Sequence, residues 1–339
     1  MPLDTLGIAV LGLDHWYTAF GVLDTAAASQ RAPLVGIWDA DAARRDDVRA
    51  KYPRAVVAED PNALIGRSDV RLVAVCAATN DAVPLVKRAL AAGKHVLSVK
   101  PAARGLDELD GVLQAAETAR REHGAFFGSF EGMQRLHPRA VLLRDLVRSG
   151  AIGQPLSYHQ VGHGSLPRAW PGAAEGASWW LDPARVPGGA WIDHALYAVD
   201  LARFVFGGEI DRAMGLIENR VHANMGVEDY GVALLRLAQE NAPAAVSLIF
   251  EDTWAAGPGG GASRQQIIGT QETIRAEGSA WVVTKSGEET RHAIPDAPFF
   301  QLDALADLLL AGTTPPFGAH DARANLAACL RVYAAPAAA

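Results

Sequence analysis

The sequence has few cysteines and no long uncharged hydrophobic run, and each shortage excludes a class of protein. Its two cysteines, Cys76 and Cys329, cannot build a disulfide framework or a cysteine-rich zinc site. The longest apolar candidate, Leu196–Phe206, carries two charged residues and falls well short of the ~20 residues of a membrane helix. No basic segment precedes the first apolar run, which ends at Asp14, so we expect no secretory signal. These features predict a cytoplasmic protein without membrane association.

The sequence also has fewer positively than negatively charged residues. Lys and Arg total 31 against 38 Asp and Glu, a net charge of −7, and no basic run is dense enough to follow a phosphate backbone. We therefore expect no nucleic-acid partner. Apolar residues make up 50% and charged residues 20%, an ordinary globular balance. At about 150 residues per domain, 339 residues predict two domains.

The first third of the chain alternates short apolar runs with helical patterns. The apolar runs are continuous, which indicates strands covered on both faces, and strand–helix alternation of this length favours a parallel sheet of βαβ units. The predicted strands are Gly7–Leu13, Leu34–Asp39, Leu72–Ala77 and His95–Val99. The predicted helices are His15–Ala28, Asp41–Tyr52, Asp81–Ala92 and Leu106–His123.

The pattern changes after about Phe130. Seven strand-like segments follow, several of them alternating in polarity as in an antiparallel sheet with one open face. They are Leu156–Val161, Arg212–Ala223, Tyr230–Leu237, Ala245–Phe250, Gln265–Thr270, Ala280–Thr284 and Glu289–Ile294. Helices are predicted over Pro138–Ser149, Asp193–Phe206, Phe300–Ala311 and His320–Tyr333. The sequence thus predicts an α/β protein with a dinucleotide-binding domain of Rossmann type at 1–125 and an α+β domain at 126–339, whose sheet is large enough to act as a platform or a dimer surface.

A strand, a glycine and the start of a helix occur within the first 20 residues, the arrangement of a dinucleotide site. The loop Gly12–Tyr17 retains only the first glycine of G-x-G-x-x-G, which is a weak signal by itself. Asp39 ends the predicted second strand, where a carboxylate accepts hydrogen bonds from ribose hydroxyls and repels a 2′-phosphate. This position favours NAD, although Arg44 and Arg45 close by keep NADP open.

Asp14 stands where the phosphate loop normally has glycine. A carboxylate about 5 Å from a pyrophosphate is repelled by roughly 1 kcal/mol even in water. We expect a protonated His15 to offset this repulsion. The alternative is that Asp14 caps the helix and has no role toward a ligand.

Three further segments bear on identity. Val75–Asn80 is followed by an AGKHVL run and Ser98–Pro101, then by Ser149–Gly153, and finally by Gly188–Asp200 with two glycines and two aspartates. In order and spacing these segments resemble the glucose-fructose oxidoreductase / inositol dehydrogenase / rhizopine-catabolism (Gfo/Idh/MocA) family, over nearly the whole chain.

The resemblance implies a Rossmann domain and a second, α/β domain whose open, mostly antiparallel sheet serves substrate binding and oligomerisation. It also implies an enzyme that moves a hydride between a sugar or polyol alcohol and a nicotinamide cofactor between the domains. The family lysine falls on Lys100, its aspartate on Asp193, and its usual histidine on Tyr197, where the glucose-fructose oxidoreductase and dihydrodiol dehydrogenase branches also have tyrosine. The resemblance also suggests a cis bond before Pro101. The sequence departs from the family at Val99, which replaces a glutamate, at Val83, which replaces a histidine, and at two phosphate-loop glycines. The predicted cofactor residues are Gly12, Leu13, Asp14, His15, Asp39, Ala78, Thr79, Asn80, Lys100 and Pro101.

Lys100 and Tyr197 form a coherent catalytic pair. A tyrosine has a pKa near ~10, and a neighbouring ammonium stabilises the phenolate and lowers that pKa. Tyr197 would then be the acid/base and Lys100 would hold the substrate oxygen, or the roles are reversed with a desolvated Lys100 as base. Asp193, four residues before Tyr197, shares its helix face. His194 is the rival base, but at about 100° around the helix we expect it off the reactive face.

Five side chains are weaker candidates for the substrate pocket: His159, His163, Arg135, His194 and Trp179. The two strand histidines share a face, but no third metal ligand is evident, so we predict no metal and expect one of them to line the pocket. Arg135 matches a family arginine and serves either a ligand or a surface salt bridge. Trp179 provides sugar stacking or core packing.

The sequence therefore predicts an NAD(P)-dependent oxidoreductase acting on a sugar or polyol. Its alternatives are a non-catalytic cofactor-binding sensor, suggested by the weakened glycine loop, and an enzyme that recycles a tightly bound cofactor. The resemblance also implies a homodimer or homotetramer formed through the open sheet.

Overall fold

The structure is a computed structural model that describes residues 5–174, 178–239, 244–257 and 260–334. Two sheets of six and eight strands carry the architecture, with helices against them. Within those ranges, no helix combines the length and the apolar character needed to cross a bilayer. Cys76 and Cys329 are both buried and unpaired with each other.

The first sheet is parallel throughout, with strand order β3-β2-β1-β4-β5-β6. Every residue of β1 and β4 is buried, because helices cover both faces of the sheet. This confirms the predicted doubly covered parallel sheet. Its strands are β1 (Ile8–Leu11), β2 (Leu34–Trp38), β3 (Val56–Val57), β4 (Leu72–Val75), β5 (His95–Ser98) and β6 (Phe127–Ser129).

The helices of this domain match four of the predicted ones and add a short fifth. They are α1 (Trp16–Ala28), α2 (Ala42–Lys51), α3 (Pro61–Ile65), α4 (Thr79–Ala91) and α5 (Leu106–His123). Sequence reasoning missed β3, α3 and β6, since segments of two to five residues give little periodicity. Asp41 and Asp60 cap α2 and α3, whereas no described side chain caps α1 or α4.

The second sheet has the order β14-β13-β12-β11-β7-β10-β9-β8 and is antiparallel except where β7 pairs with β10. Its strands are β7 (Pro155–His163), β8 (Glu209–Glu218), β9 (Tyr230–Ala238), β10 (Val246–Thr253), β11 (Ala262–Gly269), β12 (Thr273–Glu277), β13 (Ala280–Lys285) and β14 (Glu288–Ala293). The predicted strand over Arg212–Ala223 is wrong beyond Glu218. There the Asp229 carboxylate accepts N–H groups from Arg220, Val221 and His222, which folds the chain into a turn.

The remaining helices are α6 (Pro138–Arg148), α7 (Ala190–Phe206), α8 (Leu302–Leu310) and α9 (Ala319–Ala334), with 3-10 turns at Phe130–Leu136 and Trp179–Leu181. Helix α7 packs across β7, β9 and β10, while the other sheet face leaves apolar side chains exposed. Helix α8 packs on α1, and its Leu302 and Leu305 join the core beneath the first sheet. The first sheet includes β6, so it extends past residue 125, and the division at 125/126 stays a prediction.

A buried ion pair ties α7 to the chain that leaves the first sheet. Asp200 is fully buried and accepts hydrogen bonds from Arg135 (Nη2–Oδ1 2.7 Å) and Asn325 (Nδ2–Oδ1 2.9 Å). Arg135 also pairs with Asp321, at 2.9 Å. The expectation that Arg135 binds a ligand or forms a surface salt bridge is therefore wrong, because its guanidinium donates to the buried Asp200 carboxylate.

Removing this buried carboxylate should destabilise the fold. We expect Asp200→Ala to lower the free energy of unfolding by about 3 kcal/mol, since Arg135 loses its most buried partner. Asp307→Ala is the matched control, because it breaks an exposed pair with Arg31 and should cost less than about 1 kcal/mol. Urea denaturation of both variants measures the difference, and equal losses would contradict the structural role of Asp200.

Candidate active site

A cavity of about 560 Å³ opens between the two sheets, at the carboxyl end of β5. In doubly wound folds this edge of the sheet is where ligands bind. Its walls come from α1, the turn after β5, β7, α7, β11 and the segment before α8. The lining residues are Tyr17, Thr18, Lys100, Gln134, Gln160, Val161, Gly162, His163, Asp193, His194, Tyr197, Ala262, Ser263, Gln265, Phe299 and Phe300.

Lys100 and Asp193 form a buried ion pair across this cavity. Only 2% of the Lys100 side chain is exposed, and its Nζ donates to the Asp193 carboxylate and to the Asp193 main-chain oxygen, the latter at 2.7 Å. Trp254 Nε1 donates to the other carboxylate oxygen at 3.3 Å. Burial alone would raise the pKa of Asp193, but the charges of Lys100 and His194 hold it well below its usual range. The Lys100–Pro101 peptide bond is cis.

Tyr197 lies one helical turn beyond Asp193, with its ring centroid 5.5 Å from Lys100 Nζ. Burial, together with the carboxyl groups of Glu131 and Asp193, raises the pKa of Tyr197 far above 10. The expectation that Lys100 lowers this pKa is therefore wrong, because the protein withdraws the phenol from water without supplying enough positive charge to stabilise a phenolate. Tyr197 is a neutral phenol, suited to donate a proton.

His194 borders the cavity, contrary to the expectation that it lies off the reactive face. Its Nδ1 lies 2.9 Å from Asp252 Oδ1 and its Nε2 lies 3.5 Å from Asp193 Oδ2. Burial would lower the pKa of His194, but the two carboxylates raise it to about 9. Burial raises the pKa of Asp252 to about 6, in spite of the neighbouring histidine. Asp252, His194, Asp193 and Lys100 thus form a continuous chain of charges.

The cofactor side of the site combines two helix N-termini with an unsatisfied hydroxyl. Helices α1 and α4 begin beside each other at the carboxyl ends of β1 and β4, and neither is capped by a described side chain. Gly12 adopts φ +82°, a conformation that admits the sharp turn into α1. Thr79 Oγ1 is buried and has no partner among the described atoms. Free helix N–H groups and an unpaired donor fit a phosphate-bearing dinucleotide.

Asp39 and the two arginines bear on the kind of dinucleotide. Asp39 accepts N–H groups from Leu13 (2.6 Å) and Asp41 (2.8 Å). Arg44 is held by Asp14 at 3.0 Å and by Asp39 at 3.9 Å, and Arg45 donates to the Asp39 main-chain oxygen at 2.9 Å. Both arginines are engaged, which disfavours their use as ligands of a 2′-phosphate.

Asp14 and His15 behave differently from expectation. His15, not Asp14, occupies the cap position of α1, and Asp14 accepts the Ala78 N–H at 3.1 Å. His15 is fully buried, and burial holds its pKa well below 6.5, so it is neutral. The charge that offsets Asp14 therefore comes from Arg44 and not from His15.

The segment before α7 contacts the loop after β1 and the start of α4. Trp179 Nε1 donates to the Asp14 main-chain oxygen at 2.9 Å, and Arg185 Nε donates to Asn80 Oδ1 at 3.1 Å. Trp179 stacks on Trp180, whose ring lies 4.7 Å from Lys100 Nζ. Trp179 is therefore not a sugar platform in the cavity, because it packs on the loop after β1 instead.

The two histidines of β7 have different surroundings. His163 lines the cavity, with Nε2 3.4 Å from Glu251 Oε1, whereas His159 bonds Ser157 and lies outside it. No group of three His, Cys, Asp or Glu suited to a metal occurs within the described ranges.

Sequence reasoning missed several residues that line the cavity or contact the residues that do. Tyr17, in the first turn of α1, shares hydrogen bonds of 3.1 Å with His15 and with Trp180, and the glycine pattern of this segment gives no signal for it. Asp252 and Trp254 sit at the end of β10, 59 and 61 residues beyond Asp193, and no spacing signals that contact. Phe299 and Phe300 precede α8; the sequence predicts Phe300 only as the first residue of that helix and assigns no role to Phe299.

Two family models cover most of the chain. Residues 6–125 match the model described as oxidoreductase family, NAD-binding Rossmann fold, and residues 141–275 match the GFO/IDH/MocA C-terminal domain. The chain therefore belongs to the Gfo/Idh/MocA oxidoreductases, as the sequence motifs indicated.

Curated relatives and solved structures are similar to this chain over most of their length. Inositol 2-dehydrogenase of Acidothermus cellulolyticus is 29% identical, over 84% of this chain and 76% of that protein. The scyllo-inositol 2-dehydrogenase (NAD(+)) of Bacillus subtilis is 24% identical, over 94% and 90%. The crystal structure of aldose-aldose oxidoreductase from Caulobacter crescentus complexed with glycerol superposes with a TM-score of 0.80 at 20% identity, covering 98% of this chain and 97% of that one. That likeness shows a shared fold.

The histidine at the cavity provides a direct test of the charge chain. We expect His194 to stay protonated at pH 7 and to lose its proton as the pH rises through about 9. Asp252→Asn should lower this pKa, because it removes one of the two carboxylates that raise it. Imidazole NMR signals followed against pH measure the shift. Glu251→Gln, the neighbouring position on β10, is the control; an equal shift there, or none in Asp252→Asn, would refute the pairing.

Proposed function

We propose that the chain is an NAD-dependent oxidoreductase that interconverts a secondary alcohol of a sugar or polyol and the corresponding ketone. The observation that carries this proposal is the buried Lys100–Asp193 pair with Tyr197 beside it, facing a cavity at the sheet edge where α1 and α4 begin. The inositol dehydrogenases among its relatives act on the same class of compound.

The cofactor would be held by the loop after β1, the carboxylate after β2 and the loop after β4. When bound, NAD supplies a hydride acceptor or donor at its nicotinamide ring. The residues assigned to it are Gly12, Leu13, Asp14, His15, Asp39, Ala78, Thr79 and Asn80, with Lys100 and Pro101 on the side of the nicotinamide.

Lys100 would orient the reacting oxygen. Two of its ammonium protons go to Asp193, which leaves the third for a substrate hydroxyl or carbonyl in the cavity. Asp193 orients the ammonium with one carboxylate oxygen and accepts a hydrogen bond from Trp254 Nε1 with the other. Lys100 therefore acts as a fixed donor, an arrangement that stabilises negative charge developing on the substrate oxygen.

Tyr197 would exchange the proton with that oxygen. As a neutral phenol it donates its proton to the oxygen when a ketone is reduced, which leaves a phenolate. In the reverse direction that phenolate takes the proton from the alcohol, so oxidation starts from the deprotonated form of Tyr197. His194 is a second candidate for this transfer because it borders the same cavity and carries a proton supported by Asp252. Both groups hold protons at neutral pH, which favours ketone reduction.

We also propose self-association into a homodimer or homotetramer. Met214, Leu216, Leu234 and Ile249 form an exposed apolar patch on the open face of the second sheet. A patch of this kind typically marks a protein–protein interface. The cytoplasmic location stays a prediction from composition.

The catalytic assignment is tested by removing one group at a time. We expect Lys100→Ala and Tyr197→Phe each to lower kcat by about 10²-fold or more with NAD and a panel of cyclitols and pyranosides. Tyr230→Phe, a tyrosine of β9 outside the cavity, is the matched control and should retain full activity. Two measurements separate the candidate proton donors. If His194 is the donor, His194→Gln changes the pH profile of kcat and Tyr197→Phe keeps its activity. Undiminished turnover in Lys100→Ala would sink the proposed site.

Cofactor preference tests the role of Asp39. We expect NAD to bind at least about tenfold more tightly than NADP, a difference of about 1.4 kcal/mol, because the buried carboxylate repels the 2′-phosphate. Asp39→Asn should reduce that ratio. Asp41→Asn changes a carboxylate two residues away that caps α2 and should leave the ratio unaltered. Titrations monitored by tryptophan fluorescence give the dissociation constants, and tighter binding of NADP by the wild type would overturn the assignment.

A further inference from the structure

A second, smaller cavity adjoins the first. It has a volume of about 130 Å³ and shares part of its wall with the larger cavity. Tyr197 stands at the junction, so a group bound in the small cavity lies next to the proposed reaction centre. The shared residues are Gln134, Tyr197, Gln265, Phe299 and Phe300.

The wall of the small cavity is mainly apolar and aromatic. Phe130 and Phe300 meet edge to face with centroids 5.7 Å apart, and Met133 and Leu201 add aliphatic surface. Trp281 contributes its indole ring, and its Nε1 is bonded to the Arg139 main-chain oxygen at 2.9 Å. The indole ring of Trp281 therefore faces the cavity as an apolar surface, because its N–H group is already hydrogen-bonded.

Three polar side chains on this wall, Gln134, Arg139 and Gln265, already have partners inside the protein. Gln265 donates to Tyr158 (3.0 Å) and accepts from Arg139 Nη2 (3.2 Å). The Arg139 guanidinium also lies over Trp281, 4.5 Å from the ring centroid. Gln134 Nε2 donates to the Tyr197 main-chain oxygen at 2.9 Å. A polar ligand would have to break these bonds, whereas an apolar one would not.

The small cavity does not belong to the cofactor site. Among the described residues, those that line it all lie at Phe130 or later in the chain. None of them comes from the phosphate loop, from Asp39 or from the loop after β4. An occupant must therefore extend from the substrate side of the larger cavity.

We propose that the small cavity is a subsite for a compact apolar substituent of the substrate, so that the substrate is a sugar or cyclitol carrying a phenyl-sized apolar group. A cavity of about 150 Å³ with apolar walls is known to hold benzene, which sets the size of the group. The proposal rests on the proposed function, because it takes the larger cavity as the site of the polyol ring.

Phe299 supports this substrate class independently of the enclosed wall. Its side chain is 65% exposed although it is fully apolar, and it lines both cavities. An exposed aromatic ring at a cavity mouth gains from contact with an apolar ligand. A bare polyol would leave this ring in water.

The test compares phenyl β-glucoside with methyl β-glucoside on the full chain with NAD. We expect kcat/KM to be at least tenfold higher for the phenyl compound. Ala140→Leu, which fills the small cavity from α6, should bring the ratio of the two kcat/KM values close to one. Phe299→Ala, an exposed position with little risk to folding, should reduce the ratio several-fold. Val221→Ala removes an apolar side chain of similar exposure outside both cavities and should change nothing.

Binding without turnover separates this proposal from the proposed function. Saturation-transfer NMR should show the phenyl protons of the glucoside in contact with the wild type and not with Ala140→Leu. If the phenyl group binds in this way but neither glucoside is oxidised, the subsite stands and the function fails. If bare cyclitols are oxidised and the phenyl group confers no advantage in either measurement, the subsite proposal is overturned and the function stands.

Discussion

The structure depends on one buried ion pair between its two sheets. Lys100 follows β5 of the parallel sheet and Asp193 lies in the first turn of α7, which packs on the second sheet. A buried ammonium without a partner is strongly unfavourable, so each of these residues requires the other. The pair therefore fixes how the two sheets face each other. The same contact holds Lys100 at the wall of the cavity.

Charge and apolar surface divide the space beside that pair. On one side Asp252, His194 and Asp193 alternate acid, base and acid up to Lys100. On the other side the rings of Phe130, Trp281 and Phe300 line a mainly apolar cavity. Tyr197 separates the two regions, and this arrangement suits a substrate with a hydroxylated ring at one end and an apolar group at the other.

Most helices and strands, and part of the candidate site, could be predicted from the sequence, because local patterns determine local structure. Helix α5 was predicted with its observed bounds, since Leu106–His123 has a clear period and Gly124 ends it in a left-handed conformation. The spacing of Asp193 and Tyr197 likewise placed both on one helix face. The family motifs alone identify Lys100, Asp193 and Tyr197 as candidate catalytic residues.

The rest could not be read, because it depends on contacts between distant segments. The roles expected for Arg135 and His15 were wrong since burial by remote residues decides their partners and charge. The approach of Asp252 to His194 follows from how β10 meets α7, which no sequence interval reveals. The direction of the Tyr197 pKa shift was also wrong, because desolvation outweighs the nearby ammonium.

The most direct test of the account is a crystal structure of the protein with NAD and a bound polyol. The account predicts the nicotinamide ring at the mouth of the larger cavity and one polyol oxygen within hydrogen-bond distance of both Lys100 Nζ and the Tyr197 hydroxyl. A polyol bound elsewhere, or a cofactor that leaves Lys100 without access to it, would contradict the proposed active site.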